Sequence, residues 1–365
     1  MKYFINNLLI LIILIYPIAT FAVIPDYELH LVDGEFEHSK FLRPMTNING
    51  KVSFFENKGI TDSLYFKINN STFHLKGEFF LKMKKWDLII KSVNLNPEDF
   101  ITLLPKIKNF EPITPIIARL RFTRDKKLEK REFFFHVKEF NLSSTKIADG
   151  LKKIPCDNLY VKATDSSDNL NIEKLKFNLF KGELLYKQNT NKKNDTESFD
   201  AQLTNIDLKE LMKYSETYKN KVYGKLTVKT IKKNKIISGY FKASAGYLQN
   251  LEFLKNLADR AKVKSLSKIF FSNISASFVQ KKHFMEIKNF KLNSSIMDAE
   301  FDLNISGVDK KLKGRGFIRL KLKAFSSSRK LKHFGFLKGL MKRNTLKLRL
   351  RIGGTLDDPQ IRTRI

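Results

Sequence analysis

The sequence predicts a mostly β protein, rich in antiparallel strands, with only a few short helices. Apolar and polar residues alternate with a period of two through most of the chain beyond residue 22, often with Lys on the polar side. Such alternation gives each strand one apolar and one solvated face. Asn-, Gly- and Asp-rich stretches separate these segments, as turns do. A hydrophobic fraction of 42% with 32 Phe residues is enough for a folded core.

The alternating segments recur at short intervals, and we predict a strand at each. They are residues 51–55, 64–68, 72–81, 86–90, 117–122, 133–137, 159–163, 175–180, 225–231, 237–243, 274–279 and 284–287. Turns are predicted at 57–59, 69–70, 165–169 and 189–195. With strands of about six to eight residues plus turns, the chain holds roughly 15 to 20 strands.

Residues 289–361 continue this pattern almost to the end of the chain. Strands are predicted around Phe290, at 299–305 and at 317–322, with a turn at Gly307. The last strand runs into Gly-Gly-Thr-Leu-Asp-Asp-Pro, which is a turn signature. The region holds half-apolar strands and no catalytic apparatus, so it favours a surface for an apolar ligand.

Short helices are predicted to interrupt the strands. Three segments repeat the order of a strand, a short helix and a further strand, and their first strands end at residues 95, 142 and 208. A Ser, Asp or Asn before each helix can accept hydrogen bonds from its first free N–H groups. A longer helix is predicted over residues 251–271, where Leu, Ala, Ile and Phe recur near one face.

A second longer helix is predicted over residues 328–342, with apolar residues on one face and basic residues around them. The residues predicted to contact a membrane are Leu331, Phe334, Leu337, Leu340, Lys332 and Lys338. A basic amphipathic helix suits an anionic membrane surface. The same helix can instead cover an open end of the sheet, and the two roles are compatible.

The N-terminal segment, residues 1–22, is typical of an export signal. Lys2 precedes an unbroken apolar run at 8–16, and Thr20 and Ala22 lie at the −3 and −1 positions of a cleavage site. If the count is extended past the cleavage site, the mostly apolar stretch is about 17 residues long, which is the lower limit for a helix that spans a membrane. Cleavage and retention as an anchor therefore both stay open.

The charge of the chain indicates an anionic partner. It has 68 Lys and Arg against 37 Asp and Glu, a formal net charge of +31, and residues 309–365 alone have 18 against 3. Lipid head groups, lipopolysaccharide and nucleic acid are all anionic, but export argues against nucleic acid. A general compositional bias toward Lys explains the net charge of the whole chain equally well. It explains less well why so much of the excess of basic residues lies in residues 309–365.

No pattern in the sequence favours catalysis or a cofactor. The six His residues are scattered without the spacing of metal ligands. There is no Gly-rich phosphate loop, nucleophile elbow or dinucleotide fingerprint. Cys156 is the only cysteine, so it has no intramolecular disulfide partner, and we expect it to be a buried packing residue. We therefore predict that the protein is not an enzyme and binds no cofactor or metal.

Three segments in the last third of the chain occur in a characteristic order. They are AGYLQNLEFLKNLADRAKV at 245–263, then LSKIFFSNISASFVQKKHFMEIKNFKLNSSIMDAEFDLNISG, and finally GRGFIRLKL with the GGTLDDPQI ending. In order and spacing they resemble the C-terminal region of the AsmA-like family of bacterial envelope proteins, which includes TamB-type members. The resemblance covers residues 245–361, and no single residue in it is diagnostic.

The resemblance implies a long, curved β-sheet folded into an open groove with an apolar lining; the alternative is a closed β-sandwich. It also implies a periplasmic body held near the inner membrane and a role in phospholipid movement or outer-membrane homeostasis. The expected regions are a signal peptide or membrane anchor (1–22), an N-terminal groove (23–190) and an AsmA-like C-terminal region (191–365).

We therefore predict a non-enzymatic envelope protein that binds or conducts phospholipid or another anionic envelope lipid. The alternative is a scaffold that assists outer-membrane protein assembly, with a closed sheet and an envelope protein as its partner. The predicted groove-lining residues are Phe301, Leu303, Ile305, Phe317, Leu320, Leu348 and Leu350. Alternation alone does not reveal which face of each strand points inward.

Overall fold

The structure is a computed structural model. It describes residues 27–37, 44–55, 58–80, 83, 85–99, 109–125, 128–144, 152–252, 254–255, 258, 264–307, 310–321, 345–355 and 359–364. The predicted export signal, the predicted helix at 328–342 and its six membrane-contact residues lie outside this part of the chain.

The described residues form twenty strands and very little helix. The first ten strands are β1 (Tyr27–Phe36), β2 (Met45–Phe55), β3 (Lys58–Ile68), β4 (Ser71–Phe80), β5 (Lys85–Leu95), β6 (Phe110–Pro112), β7 (Ile116–Asp125), β8 (Leu128–Ser144), β9 (Lys152–Ser166) and β10 (Asn169–Leu179). Then follow β11 (Gly182–Asn191), β12 (Thr196–Asp207), helix α1 (Leu208–Met212), β13 (Val222–Lys233), β14 (Ile236–Gln249), a 3-10 turn (Lys264–Ser267), β15 (Lys268–Lys281), β16 (Phe284–Ser294), β17 (Met297–Ser306), β18 (Leu312–Lys321), β19 (Thr345–Gly354) and β20 (Pro359–Arg364).

The predicted fold class is confirmed. The strands belong to one long antiparallel sheet that is not closed, which is consistent with an open groove and does not favour the closed sandwich. The chain divides into two units. The first comprises Met1–Ser144, Leu151–Asn178 and Lys187–Thr196, and the second Thr145–Gly150, Leu179–Tyr186 and Glu197–Ile365.

In the first unit, sequential antiparallel strands bury one face of the sheet. Each strand from β1 to β4 pairs with the next, β5 pairs with β7, β7 with β8 and β8 with β9, while short β6 pairs with β8. In β3, Leu64, Phe66 and Ile68 are buried, and the intervening Tyr65 and Lys67 are exposed. The two-residue period of the sequence is thus the period of burial.

In the second unit, β12 to β20 form a meander in which each strand pairs antiparallel with the next. The predicted turn in the GGTLDDP ending agrees with this pairing, because the chain reverses between β19 and β20 with Gly354 opposite Pro359. A single buried cluster joins the strands to α1 and to the β14–β15 connection, from which Leu254 and Leu266 are completely buried.

The helix predicted over 251–271 is wrong in its second half. Residues 252, 254, 255 and 258 are helical, but Lys264–Ser267 is a 3-10 turn and β15 begins at Lys268. The segment Ile269-Phe270-Phe271 follows the two-residue alternation of β15, with Ile269 and Phe271 buried and Phe270 exposed. Pairing with β14 therefore outweighs the helical spacing of these apolar residues.

The predicted capping of short helices is borne out at two places. Asp207 precedes α1, and its side chain accepts a hydrogen bond from the Lys209 N–H at 3.0 Å. Asn96 likewise accepts from the Glu98 N–H at 2.9 Å where residues 97–99 are helical. The second predicted short helix is too long, because residues 152–154 already belong to β9.

Candidate functional site

The candidate site is one face of the sheet in the second unit, which we call the graded apolar face. Its side chains come from β14 to β19, and the antiparallel register aligns them in rows across the strands. The first row is Ala243, Ile274, Leu292, Ala299, Ile318 and Leu348; the second is Phe241, Ala276, Phe290, Phe301, Gly316 and Leu350. The third row is Gly239, Phe278, Ile287, Leu303, Gly314 and Ile352, and the fourth is Ile237, Gln280, Met285, Ile305 and Leu312.

Burial falls from the first row through the second to the third and fourth. In the first row every side chain except Ile274 is buried, with exposed fractions of 5% to 8%. In the second row the buried side chains are Ala276 and Leu350. In the third and fourth rows every apolar side chain is partly exposed. The face is therefore a closed core at one end and an accessible apolar surface at the other.

The connections between strands explain the closed end. Strands β12, β14 and β18 run in the same direction, and each is followed by a long connection at the same end of the unit. Leu208 of α1 and Leu254 and Leu266 of the β14–β15 connection join the core there. Apolar side chains from α1 and from the β14–β15 connection thus belong to the same buried cluster as the first row.

The opposite end carries hairpin turns rich in lysine. Asn234 and Lys235 have φ of 49° and 68°, so the β13–β14 hairpin has the left-handed central residues of a type I′ turn. Such a tight turn supplies no side chain to cover the apolar face. The lysines of the β13–β14, β15–β16 and β17–β18 hairpins at this end are Lys233, Lys235, Lys281, Lys282, Lys310 and Lys311.

Small residues lie directly opposite large ones at several positions of the graded apolar face. Phe290 stacks on Phe301 with ring centroids 4.1 Å apart, and Phe241 lies 6.5 Å from Phe290. Opposite them, a Cβ on Gly316 would lie 2.4 Å from the Phe301 Cβ, and one on Gly239 would lie 2.8 Å from the Phe278 ring. These glycines provide the space that the aromatic rings occupy.

Six of the seven predicted lining residues share this face. Phe301, Leu303 and Ile305 are partly exposed, whereas Leu320, Leu348 and Leu350 are buried in the core. Phe317 does not join them. It pairs with Glu300 on the other face of the sheet, where the Arg319 guanidinium carbon and the Lys347 Nζ each lie 4.3 Å from its ring centroid.

Several members of the accessible rows were missed by the sequence analysis. They are Phe241, Phe278, Ile287, Leu312 and Ile352. The alternation of β14 to β16 was the available signal, since it marked Phe241, Phe278 and Ile287 as members of strands. Assigning them to this face required the register, which bulges shift between Ser275 and Ser277 and between Ile287 and Phe290.

Several ionisable side chains of the described residues form ion pairs on the sheet surface, as Arg121 does with Asp87. No group of three or more His, Cys, Asp or Glu side chains in this part of the chain is arranged to hold a metal ion. Cys156 is buried as predicted, and burial raises the pKa of its thiol to about 12. The thiol is therefore protonated at neutral pH and is a poor nucleophile.

No protein-family model, curated protein or solved structure matches the chain. The AsmA-like family is thus a resemblance carried by the order of segments alone. Among the described residues, no helix is both long and apolar enough to cross a membrane.

Proposed function

We propose that the second unit binds lipid, with acyl chains lying against the third and fourth rows of the graded apolar face and an anionic head group near the hairpin lysines. The protein acts without catalysis, as a binder or conductor of phospholipid or another anionic envelope lipid. It works in the periplasm at the inner-membrane surface and supports outer-membrane lipid homeostasis. The export-type pattern of residues 1–22 supports this setting.

The fall in burial across the graded apolar face is the observation that carries the proposal. Leu303, Ile305 and Ile352 belong to the same continuous face as the core but remain partly exposed. Each methylene group of a ligand that leaves water for such a surface contributes about 0.8 kcal/mol. An acyl chain therefore suits the accessible rows better than a polar ligand does.

The hairpin lysines favour an anionic head group. Lys281 is the last residue of β15 and Lys282 follows it, while Lys310 and Lys311 precede β18, so two pairs of cations lie at the end where the apolar face is accessible. A basic residue near an anionic lipid surface contributes about 1 kcal/mol. Cations beside an apolar surface match both parts of a phospholipid.

Charge placed on the accessible rows tests the proposal. Native mass spectrometry of protein purified from membranes should detect bound phospholipid in the wild type. Leu303→Asp should abolish it, because a carboxylate on this face opposes an acyl chain. Asn304→Asp is the matched control: it adds the same charge at the next residue of β17, on the opposite face, and should retain the lipid.

A milder variant keeps the test decisive if Leu303→Asp does not fold. Ile305→Gln changes the fourth row, where the side chain is already partly exposed, and should weaken lipid retention while circular dichroism remains that of the wild type. Wild-type protein without lipid, or equal lipid on all three variants, would contradict the proposal. Wild-type protein without lipid would favour the scaffold role.

A further inference from the structure

A cleft lies on the first unit, on the face of the sheet opposite its buried side. We call it the outer cleft; its volume is about 420 Å³, and residues of β5, β7, β8, β9 and β10 line it. Its apolar members are unusually accessible, since Val93 is 78% exposed and Ile117 is 42% exposed. Phe134 and Tyr160 lie beside them, with an edge-on ring contact at 5.2 Å.

Two cations in the outer cleft face each other across neighbouring strands. Lys91 of β5 is directly opposite Arg119 of β7 in the register. Like charges at directly opposite positions destabilise a sheet. Within the described residues neither side chain forms an ion pair, although every residue that lines the cleft is described.

The other cations in the outer cleft are neutralised. The Arg121 guanidinium donates to both carboxylate oxygens of Asp87, at 2.9 and 2.7 Å, and Lys162 pairs with Glu173. Glu132 also lines the cleft, but it pairs with Lys130. Lys91 and Arg119 are therefore the two cations of the cleft that have no ion-pair partner among the described residues.

We propose that the outer cleft binds a phosphate ester of an amphiphile, with the phosphate between Lys91 and Arg119. A phosphate there turns the repulsion into two charge-assisted interactions, and the planar guanidinium of Arg119 suits the bidentate geometry that phosphate offers. The apolar part of the ligand lies against Val93, Ile117 and Phe134. The volume falls within the range of small-ligand pockets. This site is separate from the graded apolar face and does not depend on the lipid proposal for the second unit.

Calorimetric titration and thermal melts of the full-length protein test the site. The probe is dihexanoyl phosphatidylglycerol below its micelle concentration, with inorganic phosphate as the second arm. Arg119→Gln and Lys91→Gln should each weaken binding of the phospholipid roughly tenfold, since each removes a charge-assisted contact. Without ligand and at low salt, each variant should also melt at a higher temperature than the wild type, because it removes the like-charge pair.

Lys67→Gln is the matched control, because it removes one positive charge from the same face of the sheet on β3. It should leave both the affinity and the effect of ligand on melting unchanged. Equal affinities of wild type and both cleft variants would overturn the site. Inorganic phosphate that binds as tightly as the phospholipid would overturn the assignment of an amphiphile. Ile305→Gln should leave this binding unchanged, so failure of one proposal is distinguishable from failure of the other.

Discussion

At the scale of single residues, the graded apolar face depends on fitting small residues against large ones. Gly316 pairs with Phe301, and a Cβ at this glycine would lie 2.1 Å from the Glu300 carbonyl oxygen as well as 2.4 Å from the Phe301 Cβ. Both atoms are fixed to the backbone of the neighbouring strand β17, so neither can move away without a shift of that strand. Even one added methyl group therefore has to displace β17.

We expect Gly316→Ala to lower the free energy of unfolding by about 1–3 kcal/mol, the usual cost of overpacking. Denaturant unfolding followed by circular dichroism measures it. Gly353→Ala in β19 is the control, because a Cβ there has no heavy atom within 4 Å, and it should change stability by much less. Equal effects of the two substitutions would show that the fit against Phe301 does not matter.

The position of Phe317 shows why single residues had to be placed by the structure. Its sequence neighbours are apolar enough to suggest either face, but its register partner is the acidic Glu300. The ring of Phe317 therefore lies against cations and not among the apolar side chains of the core. Alternation divides the residues of a strand between two faces, but it does not show which face points toward the core.

At the scale of elements, α1 is held at its beginning by Asp207. The carboxylate accepts from the Lys209 N–H and lies 3.4 Å from the Lys225 Nζ. Burial raises the pKa of this carboxyl, but the hydrogen bond and charge of Lys225, together with the helix N–H groups, outweigh it and hold the pKa below the ordinary value of 3.8.

We expect Asp207→Ala to lower the free energy of unfolding by about 1 kcal/mol at neutral pH, the usual cost of a lost cap. Because the folded pKa is depressed, the charge of Asp207 stabilises the fold above the unfolded pKa, and this contribution is lost as pH falls from about 3.8 through the folded value. The stability difference between wild type and variant should therefore shrink in acid. Asp207→Asn, which keeps an acceptor, should cost less at neutral pH; an unchanged difference across this pH range would contradict the role of the charge.

The β14–β15 connection shows how an element's surroundings override its local pattern. Leu254, Leu266 and Ile269 all have completely buried side chains in one cluster, but they belong to a helical segment, a 3-10 turn and a strand. Apolar residues that gather at one place in the fold recur at helical spacing in the sequence whether or not the backbone is helical.

At the scale of the whole molecule, charge is the most unbalanced property. Many lysines pair with acids on the sheet surface, as Lys58 does with Glu78 at 2.6 Å and Lys321 with Asp298 at 2.8 Å. Exposed pairs of this kind contribute little individually. The 68 basic residues exceed the 37 acidic ones by too many for pairing to cancel, so net repulsion dominates.

We expect added salt to stabilise the protein. Raising the NaCl concentration from about 20 mM to about 300 mM shortens the Debye length and screens the net repulsion more than it weakens the exposed ion pairs. The melting temperature in calorimetry should rise. A fall would mean that the ion pairs outweigh the repulsion, and a parallel series with a neutral osmolyte separates screening from general exclusion effects.

The sequence by itself determined the mostly β class, roughly the number of strands, the turns at Asn-rich positions such as Asn69, and the burial of Cys156. All of these follow from local alternation and turn chemistry. Only the tertiary structure decided which rows of the second unit are buried and which are accessible, the side of the sheet on which Phe317 lies, and the meeting of Lys91 with Arg119. Those depend on register and on where the long connections pack, and a shift of one residue in a strand sends every side chain to the other face.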